Sequence, residues 1–500
     1  MSAEPPFEQF NTRRRSPGAW LAEEPSPREG LWLGIILALI SALPMLLVVY
    51  PQMVDYPAHM ARFHVMLSRD HSPFLQRYYG FEWRWMGNLG ADLLIRPLSA
   101  VMPFEAAGRL IAGIIPVLTG LGILSAEWAL RRRIGLGSML AFIFIWSPAL
   151  HLGFLNFGLS LALALFAFAL WVELEGKRWR SWLFMPIGIL VWLCHVSGWG
   201  VLGILVFGYE WQRHKGIDAF FKPMPLTLPF IGLLAFGGSS QLISYGRNWD
   251  VYKEAVWRQA MRGSIQWLDY ACLGLIALVL IGSIAMRRFD GRLGWAGVIM
   301  LLLALVMPRH IFGGDLVDAR MISSGLLVSC LALSWKTPRW LLLLAPMIFL
   351  GRLALTTDQW VTGSRQTAEL LKALDHVPQG ARIASLVVTE RGLWGYNTQE
   401  HTGAWAVVRK DALNNSNFAL PKVHMLTIRE GGDRFRDPFH RLLIRPGRPI
   451  DLSTYIPARS ADWLWYIGWQ EPAKLPAGAA IVARGHGWLL ARLAKPVGDS

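Results

Sequence analysis

Asp55, His59 and Arg62 stand in the stretch MVDYPAHMARFHVML, residues 53–67, directly after the first long apolar run of the chain. On a helix these positions share one face, with Met66 a turn further on. That face offers a carboxylate base, an imidazole and a permanent cation. Glu82 and Arg84 follow in FEWRWMGNLGADLL, and Arg309, Asp318 and Arg320 in MPRHIFGGDLVDAR. His195 sits in WLCHVSGWG. A departing phosphate needs positive charge more than a proton. The hydroxyl that displaces it needs a carboxylate base within hydrogen-bond reach. Transfer of a sugar from a polyprenyl phosphate to an acceptor hydroxyl has these needs. A soluble glycosidase instead needs two carboxylates facing each other across a cleft. Asp55 is therefore the candidate catalytic residue. Candidates for substrate contact are His59, Arg62, Glu82, Arg84, His195, Arg309, Asp318 and Arg320.

Each residue also has a plainer role to fill. Asp55 suits a helix N-cap, with Pro57 in the first turn. His59 suits a hydrogen-bond partner better than a ligand, and Asp55 with His59 supplies only two metal donors. No metal site is assigned, and Mg²⁺ or Mn²⁺ stays open. Glu82 and Arg84 lie beside Trp83 and Trp85, the pattern of a helix resting in a membrane interface. Asp318 and Arg320 suit a cap and a snorkelling cation. His195, in an apolar hairpin, suits a structural role. His401, in EHTGAW, and the stretch RKDALNNSNF are candidates for an acceptor site, with a surface loop as the default.

The elements that position these residues follow from composition. The 500 residues are 53% hydrophobic and 17% charged. Repeated apolar runs mark a polytopic membrane chain. The net charge of +15 comes from 49 Lys and Arg against 34 Asp and Glu. The basic residues cluster between apolar runs, which points to membrane topology and not to nucleic acid. The clusters are Arg13–Arg15, Arg131–Arg133, Lys177–Arg180, Arg213–Lys215, Arg287–Arg292 and Lys336–Arg339. Placing all of them in the cytoplasm requires an even number of crossings between neighbours. Spans near 31–50 and 104–130, hairpins over 136–173 and 181–211, pairs near 224–240 and 265–286 and near 293–307 and 321–335, and a last span near 340–355 satisfy this. The count is about eleven, with the amino end inside and the carboxyl end outside. Three cysteines in or beside apolar segments form no disulfide framework.

The expected architecture is thus an all-α polytopic membrane domain followed by a small α/β extracytoplasmic domain. Residues 1–30 form a cytoplasmic tail, 31–355 the multispan domain with an outer loop over 51–103, and 356–500 the outer domain. TAELLKALDHVPQGARIASLVV reads as a helix, a turn and a buried strand, and DWLWYIGWQ and AAIVARGHGWLLARLAK as further strands. No Walker A, HExxH or GxSxG motif is present.

An acidic residue in the first outer loop, just after the first span, resembles the arrangement of the GT-C superfamily of polyprenyl-phosphate-sugar-dependent membrane glycosyltransferases. DYPAHMAR, WRWMGNLGADLLIRPL, GFLNFGLSLALAL and DLVDARM are similar to stretches of bacterial multispan proteins of this type. The superfamily's common acidic pair is reduced here to Asp55 followed by Tyr56. The resemblance implies a GT-C-like bundle in a bacterial inner membrane, with the carboxyl-terminal domain periplasmic. It also implies a polyprenyl-phosphate-linked sugar as donor, an envelope glycan or lipid as acceptor, and membrane lipids, but no nucleic acid, as further partners. A transporter or lipid flippase, and a non-catalytic envelope-assembly protein, are the alternatives.

Overall fold

The computed structural model describes residues 17–230, 243–311, 314–419, 423–435, 440–445 and 447–494. Among the described residues, five helices are long and apolar enough to cross a membrane: Pro27–Leu46, Phe104–Arg131, Leu155–Glu173, Gln266–Ala285 and Arg339–His376. Shorter apolar helices cover Leu136–Leu152, Arg180–Cys194 and Gly291–Val306. The first of the five opens with α1 (Pro27–Ile40), where Ser26 and Glu29 form a reciprocal capping box. The outer loop holds α2 (Tyr56–Ser68), β1 (Tyr79–Phe81) and α3 (Gly90–Ser99). The bundle continues through α4 (Phe104–Arg131), α5 (Leu155–Glu173), α6 (Arg180–Cys194), α7 (Val196–His214) and a short α8 (Trp249–Arg258). It closes with α9 (Gln266–Ala285), α10 (Gly291–Val306), α11 (Val317–Leu331) and α12 (Arg339–Leu371). Most of the expected span near 224–240 lies outside the described residues.

Helix pairs in lipid gain little from apolar burial, so they approach through small residues. A side chain on Gly122 would meet Leu165 Cβ at 2.9 Å, and one on Gly208 would meet Ala296 N at 2.8 Å. These two glycines let α4 lie against α5 and α7 against α10. The basic clusters gather at one end of the bundle. Arg131 pairs with Asp290, Arg132 with Glu173, Arg133 with Glu24, Arg180 with Glu210, Arg213 with Glu175 and Arg339 with Glu29. Arg13–Arg15 lies outside the described residues.

α12 differs from expectation. No helix ends near 355; α12 runs unbroken for 33 residues into the carboxyl-terminal unit. Between Arg352 and Leu371 no proline interrupts it, and Gly363 is tolerated in a helix interior. After α12 come β2 (Arg382–Glu390), α13 (Trp405–Lys410), β3 (Leu413–Asn414), β4 (Leu426–Ile428), β5 (Arg441–Ile444), β6 (Trp463–Ile467), β7 (Ala480–Gly485) and β8 (Trp488–Arg492). The sheet order is β3–β2–β6–β8–β7, with β5 beside the far half of β2. β2 is parallel to β3, β5 and β6, and β8 is antiparallel to its neighbours.

Alternation along the strands gives the sheet two apolar faces. Ile383, Val387, Trp465 and Leu490 face Leu370 at the end of α12 and Ala373 and Leu374 in the turn that follows it. Ala384, Leu386, Leu464 and Tyr466 belong to a second core that includes Ala58, Ala61 and Val65 of α2. The outer loop is therefore one wall of the carboxyl-terminal unit. β1 pairs antiparallel with β4, Tyr79 opposite Ile428. Asp411 accepts from Ser72 Oγ at 2.8 Å and lies 2.7 Å from His64 Nε2. Tyr78 and Tyr79 donate to the carbonyls of Gly380 and Ala412.

Burial works to raise the Asp411 carboxyl, but hydrogen bonds from His64 and Ser72 outweigh it and hold the group below its usual range. A carboxyl depressed in the fold stabilises above its unfolded pKa of about 3.9, and that contribution disappears as pH falls through the lower folded value. Asp411→Asn is expected to cost about 1–2 kcal/mol at pH 7 through weakened bonds. It should also flatten the acid side of the stability profile. Thermal unfolding of detergent-solubilised protein between pH 7 and 3 checks both.

Candidate functional site

The segment entering α2 is fixed by the turn between residues 147 and 154. Val54 N donates to His151 O and Asp55 N to Leu152 O at 2.9 Å. Gly153 adopts φ +90°, and a side chain there would lie 3.1 Å from Asp55 Cβ, so glycine is required. Asp55 occupies the N-cap position of α2, but its side chain caps nothing. The capping expectation fails because the carboxylate turns toward the carboxyl-terminal unit, where Oδ1 lies 3.6 Å from His401 Nε2.

The other residues on this face of α2 bind within the fold. His59 Nε2 lies 3.1 Å from Gly153 O, and burial, aided by the Arg62 charge, holds His59 neutral. Arg62 forms a buried ion pair with Asp92 at 2.9 Å. Burial pushes the Asp92 carboxyl up while Arg62 and Asn156 oppose it. Asn156 ties the same corner together, accepting from Ala91 N and donating to Asn88 O. His59 and Arg62 thus clamp the outer loop onto the 153–156 turn. Glu82 and Arg84 pair with each other at 2.9 Å on the exposed surface, beside exposed Trp83 and Trp85. His195 ends α6 and caps α7, its Nδ1 accepting from Ser197 N at 3.0 Å.

The 309–320 segment is divided. Arg309 makes a two-pronged contact with Asp315 at 2.6 and 2.8 Å, over the ring of Tyr252. Asp318 accepts from Tyr252 Oη at 2.8 Å and from buried Lys253 Nζ at 2.6 Å. Both are neutralised in place, which corrects the expectation that Arg309 faces a ligand. Arg320 is different. It is 94% buried by its 6% exposure, stands over the Phe154 ring at 4.2 Å, and has no hydrogen bond at Nε or Nη1. Asp315, Asp55 and Asp318 lie within electrostatic reach of its guanidinium. Asp55 and Arg320 therefore both lie against one turn, Leu152 to Phe154.

A cavity of about 930 Å³ opens beside them, between the bundle and the sheet. Val54 and Leu152 line it on one side, Ala319 and Ser323 of α11 on another, and Gln399 and Glu400 on the sheet side. Asp55 and Arg320 are not among its lining residues; each follows one, Val54 and Ala319, along the chain. This volume accommodates a sugar with its phosphate.

His401 is 3% exposed, which overturns the surface-loop default. Its ring stacks on His440 at 4.5 Å, and its Nδ1 lies 3.1 Å from Ser416 Oγ. Donor atoms of Glu400, His401 and His440 lie within 4.8 Å of one another. Asp55 and His59, the pair weighed from sequence as metal donors, diverge: His59 takes the Gly153 carbonyl. Glu400, His440, Tyr252 and Lys253 belong to no motif; only the fold brings Glu400 and Tyr252 to the cavity, Lys253 to Asp318 and His440 to His401. Neither a protein-family model nor a curated protein matches the chain.

Arg62→Ala leaves Asp92 buried and unpaired, a loss expected to cost about 3–5 kcal/mol. The Arg62→Ala/Asp92→Ala double variant should recover much of it. Melting temperatures of the two singles and the double form the cycle that checks this.

Proposed function

We propose that the chain is an integral membrane glycosyltransferase of GT-C type. It moves a sugar from a polyprenyl-phosphate donor to an envelope glycan or lipid acceptor at the periplasmic face of a bacterial inner membrane. The observation that carries this reading is Arg320: a buried guanidinium that forms no ion pair among the described residues, stands over the Phe154 ring, and follows Ala319, which lines a sugar-sized cavity. A cation at membrane depth is costly unless an anion meets it. Its planar fork matches a phosphate. Arg309, held by Asp315, leaves that task to Arg320.

In this mechanism the acceptor hydroxyl gives its proton to Asp55 as it attacks the anomeric carbon. The bond from that carbon to the phosphate oxygen breaks, and the electron pair leaves with the phosphate toward Arg320. His401 orients Asp55. Arg62, His59 and Asp92 hold the loop that carries the base, and Lys253 with Asp318 holds the start of α11. The gathering of basic clusters at one end of the bundle, opposite the Asp55 end, favours about eleven crossings with the amino end cytoplasmic. A flippase or transporter reading has no comparable observation behind it.

Asp55→Asn should lower transfer at least about 10²-fold, the usual worth of a general base, with donor binding kept. Arg320→Gln should weaken donor binding. Membranes expressing each variant, supplied with labelled polyprenyl-phosphate sugars, provide the measurement. Wild-type transfer by a normally expressed Asp55→Asn variant would remove the base from the mechanism.

A further inference from the structure

We infer that a second, smaller cavity beside His151 binds one neutral sugar ring. The site deepens the transfer reading by naming its acceptor as the hydroxyl-rich end of a glycan. That role rests on the transfer reading; the binding itself does not.

The cavity holds about 310 Å³, near the lower end for small-molecule sites and room for a single ring. Its wall includes Gln52, His151 in the turn that fixes α2, Tyr396 from the segment after β2, and Asp358, Thr362 and Gln366 of α12.

His151 carries the argument. It is 7% exposed, and among the described residues its ring makes no hydrogen bond and no ion pair. The ring lies near-parallel to Tyr396, at 17° with centroids 5.7 Å apart, and Trp146 packs against it at 5.7 Å. The Tyr396 hydroxyl likewise has no hydrogen-bond partner among the described residues. A buried polar group without a partner is costly unless something else meets it. A neutral imidazole offers one donor and one acceptor, and a phenol offers both at one oxygen. Sugar hydroxyls, which also donate and accept, complement them.

The wall is held in place without a ligand. Arg262 lies over the Tyr396 ring at 4.3 Å and donates to the carbonyls of Trp394 and Gly395 at 2.5 and 2.8 Å. Trp394 Nε1 donates to Asp269 at 2.7 Å. Gln52 Oε1 accepts from Thr398 Oγ1 at 2.8 Å. A site ordered in advance loses less on binding.

Charge decides the class of ligand. No Lys or Arg lines the cavity, and Asp358 does, so a phosphate or carboxylate would meet repulsion. The nearby cations are committed: Arg262 to the two carbonyls, Arg352 to Asp269. Asp358, Thr362 and Gln366 stand four residues apart, so a carboxylate, a hydroxyl and an amide follow one another along one face of α12. An uncharged ligand rich in hydroxyls matches this set, and an apolar one does not.

Position assigns the role. Gln366, Gly395, Tyr396 and Thr398 line both this cavity and the larger one. The His151 carbonyl accepts from Val54 N, the residue before Asp55. A ring held here is therefore bound against the turn that fixes the proposed base.

The test is a titration of full-length protein, in a detergent without a sugar headgroup, with the methyl glycosides of glucose, galactose, mannose and N-acetylglucosamine. Tryptophan fluorescence and thermal melting are the readouts, and neither needs a donor or turnover. At least one glycoside should bind saturably, with a dissociation constant on the order of 1 mM. Inorganic phosphate should not displace it. His151→Phe and Tyr396→Phe keep the stacked rings and should each weaken binding about tenfold, the worth of one hydrogen bond. Thr362→Trp, on the exposed face of α12, fills the cavity and should abolish binding even if His151→Phe does not fold. Trp469→Ala, which alters only the larger cavity, should change nothing. The inference is overturned if no glycoside binds, if phosphate competes, if folded His151→Phe and Thr362→Trp bind as wild type does, or if Trp469→Ala alone removes binding. A protein that binds the glycoside through His151 and transfers no sugar refutes the transfer reading and leaves this site standing.

Discussion

The burial of the carboxyl-terminal sheet on both faces is the constraint on which the rest depends. One face lies on the end of α12, the other on α2. α12 is a single helix that begins among the bundle's charged ends and finishes under the sheet. It sets the height of the sheet above the bundle, and the second face then decides where α2 lies. Asp55 stands at the start of α2, so its distance from His401 is a consequence of this packing. Apolar burial is non-directional; β1 against β4 and the Asp411 bonds supply the register that it lacks.

Charge at the seam follows a consistent rule. Arg62 faces Asp92, Lys253 faces Asp318, and Arg309 faces Asp315, each pair within one small neighbourhood. The first two pairs are buried, so breaking one leaves a buried charge, whereas Arg309 and Asp315 are partly exposed. Arg320 and Asp55 are related otherwise. They form no ion pair with each other, although the Asp55 charge reaches the Arg320 guanidinium.

Much of the fold was legible in the sequence. Helices stand where apolar runs stand, because a chain in lipid must satisfy its backbone internally. The turns at Gly153 and at His195 fall inside the two expected hairpins. The strands β2, β6, β7 and β8 were readable from alternation and from the Gly between the last two. The end of α12 was not, because a change in composition at 356 is not a break in a helix. Candidate residues were readable by type but not by partner. Arg309 and Arg320 look alike in sequence; only the two-pronged contact to Asp315 separates them. His401 has no motif that sets it beside Asp55, and His440 has no motif at all. Their approach is a product of strand pairing between β2 and β5 and of the docking of α2.

A seam site has a physical consequence for how the protein works. The bundle contributes Arg320, the outer loop contributes Asp55, and the sheet contributes His401 and Glu400. No one of these units holds a complete set. Any motion that lifts the sheet from α2 changes the 3.6 Å separation of Asp55 and His401 together with the core that Ala58, Ala61 and Val65 share with the sheet. Apolar contacts tolerate small displacements, whereas charge pairs lose their effect over an ångström or two. The chemistry of the site is therefore more sensitive to the docking of the outer loop than the stability of the fold is, and variants along β1 and β4 should separate the two properties.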